Sequence, residues 1–404
     1  MNYVKNIITI EMLRKLYMRK YKVREVIIKK PIVKERTYLV YDTQPTNVIE
    51  TLLRLLDSNG FKGVSVLTED AIMPSNEHFT FMYTMGTRIK ITAHKENLYT
   101  NTALIQNIFT QEKLIIANKC MLHEAFKIYL PGIYKRYLAE TDYIGLHEYR
   151  DGEKLIMRSY GMGQSTGKGI EYITNREEFD KLKRKFGITQ TIVSKYIENP
   201  LLYDEKKFHM RIYLIIMGYP LNAISILHKG KIITAGNPYN TDIHDTEAHD
   251  THAKRTSHTV FFPDDFNQSH GLDENQIQNI WEQINHICAG IHTIYRPFVK
   301  PYDNIATGFE MFGLDFMIDD RYNVYLLEVN WSPGMGVIGN DSDSEKKERM
   351  LEANIAEWTF DCMRKLLEHE PKLSQLKEYP MEPNPLHIDP KRLIPRGYKP
   401  VIYK

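Results

Sequence analysis

The stretch FGLDFMIDDRYNVYLLEVNWSP, Phe312 to Pro333, constrains this chain more than any other. Two runs of strand-like alternation flank Asp-Asp-Arg-Tyr, so Phe309–Ile318 and Asn323–Val329 are expected to pair as an antiparallel hairpin. A turn centred between Arg321 and Tyr322 sets Asp315 opposite Glu328, with Cβ atoms about 5 Å apart. Asn330, two residues past Glu328, shares their face. The other face carries Leu314, Phe316, Ile318, Tyr325, Leu327 and Val329 and reads as core. Two adjacent carboxylates shielded from water repel, and one is driven toward protonation unless a cation neutralises the pair. A hard divalent ion of the Mg²⁺ type, held by Asp, Glu and Asn oxygens, is one solution. Pairing with nearby Arg or Lys, or plain exposure to solvent, is another, and the spacing alone leaves all three open.

Upstream, KKFHMRIYLIIM alternates with period two. Lys207, His209, Arg211 and Tyr213 share one face, and Phe208, Met210, Ile212, Leu214 and Ile216 the other. Two fixed cations beside a pair of acids that could hold a metal suit a polyphosphate, whereas the alternation taken alone reads as a sheet with one wet face. RSYGMGQSTGKGI, Arg158–Ile170, is glycine-rich but fails as a P-loop. Gly161 lies one residue too far from Gly167-Lys168, and Gly169 stands where Ser or Thr is required. A glycine hairpin closing over phosphates fits better, with backbone N–H groups and Lys168 or Arg158 as donors.

The remaining pattern reads as α+β. Thr37–Tyr41 is a strand, followed by a helix capped by Asn47, striped with Val48, Ile49, Leu52, Leu53, Leu55 and Leu56, and closed by Gly60. Asn118–Leu130 is an amphipathic helix stopped by Pro131-Gly132; EKLIMRS, GIEYIT and QTIVSKYI are strands; NAISILH and KIITAG form a hairpin. Glu274–Tyr295 and Glu345–Leu367 are helices, and the Pro-rich end from Pro371 is extended. Strand runs followed by helices indicate sheets with a site between layers.

Composition excludes some classes of function. Among 404 residues, 53 Lys and Arg oppose 51 acids, so a net charge of +2 carries no overall nucleic-acid signature. The exception is residues 1–36, with eleven Lys or Arg against three Glu: a basic arm able to act as a tether or to meet an acidic partner. Cys120, Cys288 and Cys362 show no metal-ligand spacing and are expected to be reduced thiols. No apolar run reaches membrane-span length, and the N-terminus does not read as a signal peptide, so a cytoplasmic protein, monomeric and without a membrane span, is expected. The segment Asn240–His258 holds His244, His249, His252 and His258 among acids. Its spacing matches no dependable transition-metal frame, so it reads as a polar loop shaping a substrate pocket.

The order glycine hairpin, SKYIENPLLYDEKKFHMR, then FGLDFMIDDRYNVYLLEVNWSP resembles the tubulin–tyrosine ligase family, a branch of the ATP-grasp ligases. Members show a QKYI-like hinge before PLL, a KFDxR strand, and FGxDF followed by LEVN. The resemblance spans Thr37 to about Leu367 and is strongest from Ile192 to Pro333. It implies an ATP-grasp architecture: a small N-terminal α/β domain, with the nucleotide held between central and C-terminal β-sheet domains. The units it suggests are the arm 1–36, an α/β domain 37–117, a central subdomain 118–200, a C-terminal subdomain 201–367 and a tail 368–404.

By resemblance, Lys195 contacts adenine, whose edge bonds the backbone of Tyr196 and Ile197. Lys207 reaches ribose or phosphate, and Arg211 reaches the γ-phosphate. Lys119 approaches the phosphates, while Asp315, Glu328 and Asn330 hold one or two Mg²⁺ ions. Thr256 and Ser257 fall at a nucleotide-side triplet, with Ser in place of Asn. Three departures stand out: Arg158 replaces a family lysine, His209 replaces the Asp of KFDxR, and Ile233 replaces an Arg that grips the acceptor chain. The implied activity is ATP- and Mg²⁺-dependent ligation of an amino acid (Tyr, Glu or Gly) to an acidic protein tail, tubulin-like in kind, through an acyl phosphate, with no specific nucleic-acid partner. The alternatives are an ATP-grasp ligase acting on a small molecule or short peptide, and a non-catalytic nucleotide-binding scaffold.

Overall fold

The computed structural model describes residues 37–41, 47–66, 79–84, 102–106, 114–159, 169–187, 191–218, 222–251, 260–296, 307–331, 333 and 342–368. The basic arm, the glycine-rich loop with Lys168, Thr256 with Ser257, and the tail beyond residue 368 lie outside these residues. The strands are β1 (Thr37–Tyr41), β2 (Lys62–Val66), β3 (Phe79–Thr84), β4 (Thr102–Gln106), β5 (Thr141–Tyr143), β6 (Leu155–Ser159), β7 (Ile170–Ile173) and β8 (Thr191–Lys195). They continue as β9 (Leu202–Tyr203), β10 (Lys206–Met217), β11 (Ala223–Ile226), β12 (Gly230–Thr234), β13 (Val260–Phe262), β14 (Thr307–Ile318) and β15 (Val324–Asn330). The helices are α1 (Asn47–Ser58), α2 (Leu114–Ala117), α3 (Lys119–Tyr129), α4 (Pro131–Tyr137) and α5 (Arg176–Phe186). After them come α6 (Thr246–His249), α7 (Asp264–His270), α8 (Glu274–Tyr295) and α9 (Ser342–Glu368).

The fold is mixed α+β. An 11-stranded sheet runs β13-β12-β10-β14-β4-β3-β1-β2, with β9 and β11 also on β10 and β15 on β14. The N-terminal strands are parallel to one another and join the rest through β4, which pairs in parallel with the start of β14. A separate 4-stranded antiparallel sheet has the order β5-β8-β6-β7.

β10 is the axis of the large sheet, and its period-two pattern decides its register. Phe208, Met210, Ile212, Leu214 and Ile216 are buried against α8 and α3. Each such side chain contributes about 1.5–3 kcal/mol by leaving water. A one-residue slip would drive Lys207, His209 and Arg211 into that layer, so the polar face is fixed by the apolar one. On the other face Tyr213, Ile215 and Met217 pack under α1 and α9 with Phe309 and Met311 of β14. Lys207, His209 and Arg211 stand along the same face at the opposite end of the strand.

Two expectations need correction. Ala223–Ile226 and Gly230–Thr234 do not pair as a hairpin; both lie antiparallel to β10, on its second and first halves respectively. The reason is the length of β10: its 12 residues need two short partners in succession, and Leu227–Lys229 is a kink between them rather than a reversal. The β14–β15 hairpin also does not keep one register. Asp315 opposes Glu328 as expected, but Phe316 opposes Leu326, so Leu327 is an extra residue on β15. The bulge changes which side chains reach the core: Val324, Leu326 and Val329 are buried, whereas Tyr325 and Leu327 are only partly so.

Candidate functional site

The bulge sits beside the acids. Glu328, Asp315, Arg211 and Lys231 are successive cross-strand partners on β15, β14, β10 and β12, so they form one row across one face of the sheet. Two acids lead the row and two cations follow. Arg211 grips Asp315 with both prongs, Nε to Oδ1 at 2.7 Å and Nη2 to Oδ2 at 2.6 Å. To reach it the arginine crosses Gly313, where an added Cβ would lie 2.6 Å from the Pro333 ring and 3.4 Å from the Arg211 Cδ. The glycine of FGLDF is therefore a requirement of close approach.

Glu328 is neutralised from another element. Lys119, the first residue of α3, places Nζ 2.7 Å from Glu328 Oε2. Asn118 fixes that helix end by accepting from the N–H groups of Cys120 and Met121, and the positive end of the helix adds to the attraction. Asn330 Nδ2 donates to Asp315 Oδ2 at 3.2 Å and to Glu328 Oε1 at 3.0 Å. The two carboxylates thus converge on one point, held here by the positive end of an amide dipole. Burial pushes Asp315 up in spite of the Arg211 fork, and the Glu328 charge adds to the rise. Burial acts on Glu328 in the same sense but is overcome by Lys119, Asn330 and Arg211, which hold it well below the usual carboxylate range.

This donor set fits a hard cation. It comprises two carboxylates and an amide that turns its oxygen inward by rotation, all aimed at a place already occupied by partial positive charge. No cluster of three or more His, Cys, Asp or Glu side chains among the described residues, this site included, is arranged to hold a metal; the third oxygen here is an amide.

The small sheet faces this row. Arg158 of β6 reaches across to donate to the carbonyl of Leu327, the extra residue of the bulge, at 3.0 Å, and to Ser194 Oγ at 2.9 Å. Its Nε is buried with no partner among the described residues, a donor left for an anion. Lys195 is exposed at the end of β8. The Tyr196 N–H donates to the Lys154 carbonyl at 2.9 Å. Lys207 is buried and donates to Tyr196 Oη at 2.8 Å. Burial lowers Lys207 to about 7, against the opposing pull of Asp250. His209 Nδ1 bonds Thr251 Oγ1 at 2.6 Å, with Nε2 3.9 Å from Asp315 Oδ2. Ile233 is buried directly opposite His209.

The structure therefore brings Lys119, Arg158, Tyr196, Lys207, His209, Arg211, Asp315, Glu328 and Asn330 into one neighbourhood where the two sheets meet. The model of the tubulin-tyrosine ligase family matches residues 95–363, two thirds of the chain. The chain belongs to the tubulin-tyrosine ligase family. Among its relatives, tubulin glycylase 3C of Tetrahymena thermophila is 28% identical over 193 residues, covering 43% of this chain and 18% of the relative. The probable alpha-tubulin polyglutamylase Ttll1 of Tetrahymena thermophila is 24% identical over 244 residues, 55% of this chain and 56% of the relative. The human inactive polyglycylase TTLL10 is 27% identical over 202 residues, 42% of this chain and 30% of the relative. This tubulin-tyrosine ligase family chain thus spans between 18% and 56% of these curated relatives' lengths. No described helix is long and apolar enough to cross a membrane.

Sequence reasoning singled out neither Lys231, Ser194 nor Thr251, and named His249 only as one of several histidines in a polar loop. Lys231 carried a signal, since it lies one pleat from Ile233 in GKIIT and so shares its face. The other three act through contacts with residues distant in sequence.

Proposed function

We propose that this chain is an ATP- and Mg²⁺-dependent carboxylate–amine ligase of ATP-grasp architecture, joining an amino acid to the acidic tail of a tubulin-like protein. The observation that carries the reading is the convergence of Asp315, Glu328 and Asn330, flanked by Arg211, Lys119 and Lys207, where two sheets meet in a chain of this family. In this reading Arg158 and Lys207 bind the phosphates, and Lys195, Tyr196 and Ile197 border the base. The site works in a cytoplasmic setting.

The chemistry asks for charge neutralisation and dryness, with no protein nucleophile. An acceptor carboxylate oxygen forms a bond to the γ-phosphorus as the bond to the β-bridging oxygen breaks and ADP leaves. An amine then bonds to the acyl carbon, phosphate departs with one former carboxylate oxygen, and the amine loses a proton. Arg211, preset by the Asp315 fork, stabilises charge on the transferring phosphoryl group at no cost in reorganisation. Mg²⁺, held by Asp315, Glu328 and the Asn330 amide oxygen, would supply the remaining positive charge on the phosphates.

A second reading, a nucleotide-binding scaffold without turnover, draws on the relative named inactive and on the engagement of the Arg158 guanidinium with Leu327 and Ser194. One experiment separates them. Purified chain is incubated with cell lysate, ATP, Mg²⁺ and labelled Tyr, Glu or Gly, and modified peptides are found by mass spectrometry. Label in amide linkage to a protein tail is expected; ATP binding with no transfer to any protein favours the scaffold.

A further inference from the structure

The His- and Asp-rich segment belongs to no part of the reaction above, yet it reaches the site. Residues 237–251 are stitched down by Asn237 N–H to the Glu247 carbonyl and Tyr239 N–H to the Glu205 carbonyl. Asp245 caps the short helix α6, and Asn240 donates to Asp245. The result is that His249 and Thr251, two residues apart, arrive on the polar face of β10. Thr251 meets His209, and His249 Nδ1 lies 2.5 Å from Tyr196 Oη. The same oxygen accepts from Lys207 Nζ at 2.8 Å. His249 and Lys207 are each 3% exposed.

The polarity of this chain of hydrogen bonds follows from its donors. In its ammonium form Lys207 only donates, so Tyr196 Oη accepts from it; the Tyr196 O–H faces two acceptors, His249 Nδ1 and the oxygen of Tyr239, whose own O–H donates to the Glu198 carbonyl. With the Tyr196 O–H directed at Nδ1, His249 is neutral and carries its proton on Nε2, which is buried with no hydrogen-bond partner among the described residues. A proton added to Nδ1 would take that acceptor from the Tyr196 O–H and set two cations on one buried oxygen. Burial and the Lys207 charge both lower His249, while the Asn240 carbonyl, Asp245 and Asp242 pull the other way. Among the described residues, the other titratable groups around the imidazole are Tyr172 on β7 and Tyr239, whose rings lie 6.1 Å and 5.0 Å from it. Asp250 acts on Lys207 and Tyr172.

We propose that His249 is a positioning residue for the nucleotide. Through Tyr196 it locks the buried Lys207 and ties β10 to the hinge after β8, so that nucleotide affinity depends on a neutral imidazole at residue 249. The proposal rests on the nucleotide reading of the site and names the loop residue that holds one of its cations in place.

The test is equilibrium titration with a fluorescent ATP analogue and Mg²⁺ across pH, on the full chain. His249→Phe fills the space without accepting, and is expected to weaken binding about 5- to 30-fold, the worth of one buried hydrogen bond of about 1–2 kcal/mol. His249→Asn puts an amide oxygen near the Nδ1 position and does not titrate. It is expected to bind within about twofold of wild type at neutral pH and to lack the loss of affinity expected of wild type on the acid side of its lowered imidazole value, which lies under the ordinary value of about 6.5. The ratio of the two proteins' affinities removes the nucleotide's own titration. Equal binding by His249→Phe and wild type, or an acid limb unchanged in His249→Asn, overturns the proposal. If His249→Phe fails to fold, the comparison of wild type with His249→Asn across pH still decides it. No binding by wild type at any pH overturns the nucleotide reading itself, and the role of His249 with it.

Discussion

Glu328→Gln is expected to separate catalysis from stability. Glutamine keeps the shape of the side chain and an oxygen able to accept from Asn330, but it removes the charge that faces Lys119 at 2.7 Å. A hydrogen bond to a charged group is worth about 1.5–3 kcal/mol. Lys119 retains 25% exposure and can turn toward water, and loss of the carboxylate also relieves repulsion with Asp315. The net destabilisation is therefore expected at the low end, about 1–2 kcal/mol, which lowers Tm by a few degrees in a chain of this size. Turnover should respond far more. The proposed phosphoryl transfer loses one of two anionic ligands of its cation, and a fall of at least ~10³-fold in kcat, about 4 kcal/mol of transition-state stabilisation, is expected. Thermal unfolding followed by tryptophan fluorescence, alongside incorporation of labelled amino acid, reads both quantities. Incorporation within tenfold of wild type in a folded variant would refute the metal assignment.

Other outcomes follow from the same geometry. Gly313→Ala puts a methyl group into the Pro333 ring and against Arg211, so a loss of both stability and nucleotide affinity is expected, measurable by unfolding and by ATP titration. His147 bridges Asp142 Oδ2 at 3.2 Å and Glu153 Oε2 at 3.0 Å, and the bond to Asp142 leads in raising it against the effect of burial. That contribution is complete below the ordinary imidazole value of about 6.5 and is lost as pH rises through the raised value. Denaturant unfolding from about pH 6 to 8 should show stability falling in wild type and a flatter profile in His147→Gln.

Legibility in the sequence followed the physics of each element. β10 and the facing pair Asp315–Glu328 were readable because strand period two ties polar positions to a buried opposite face. The bulge at Leu327 was not, since YLLEV offers two adjacent leucines and no pattern says which one enters the core. The kink at Leu227–Lys229 looked like a turn because His-Lys-Gly between apolar runs is ordinary hairpin chemistry, and only the length of β10 overrides it. The acids themselves announced a need for positive charge. Which cations supply it depends on contacts such as Lys119 to Glu328, across 209 positions, where local pattern carries no information. His249 was visible only as one of several histidines in a polar loop, because its role depends on where the loop lands.

The most direct measurement of the central claim follows the oxygen. With ¹⁸O in the carboxylates of the acceptor peptide, ligation through an acyl phosphate delivers one labelled oxygen to inorganic phosphate for each amide bond formed, with ADP as the nucleotide product. Label appearing in AMP, or amide bonds formed with unlabelled phosphate, would contradict the account.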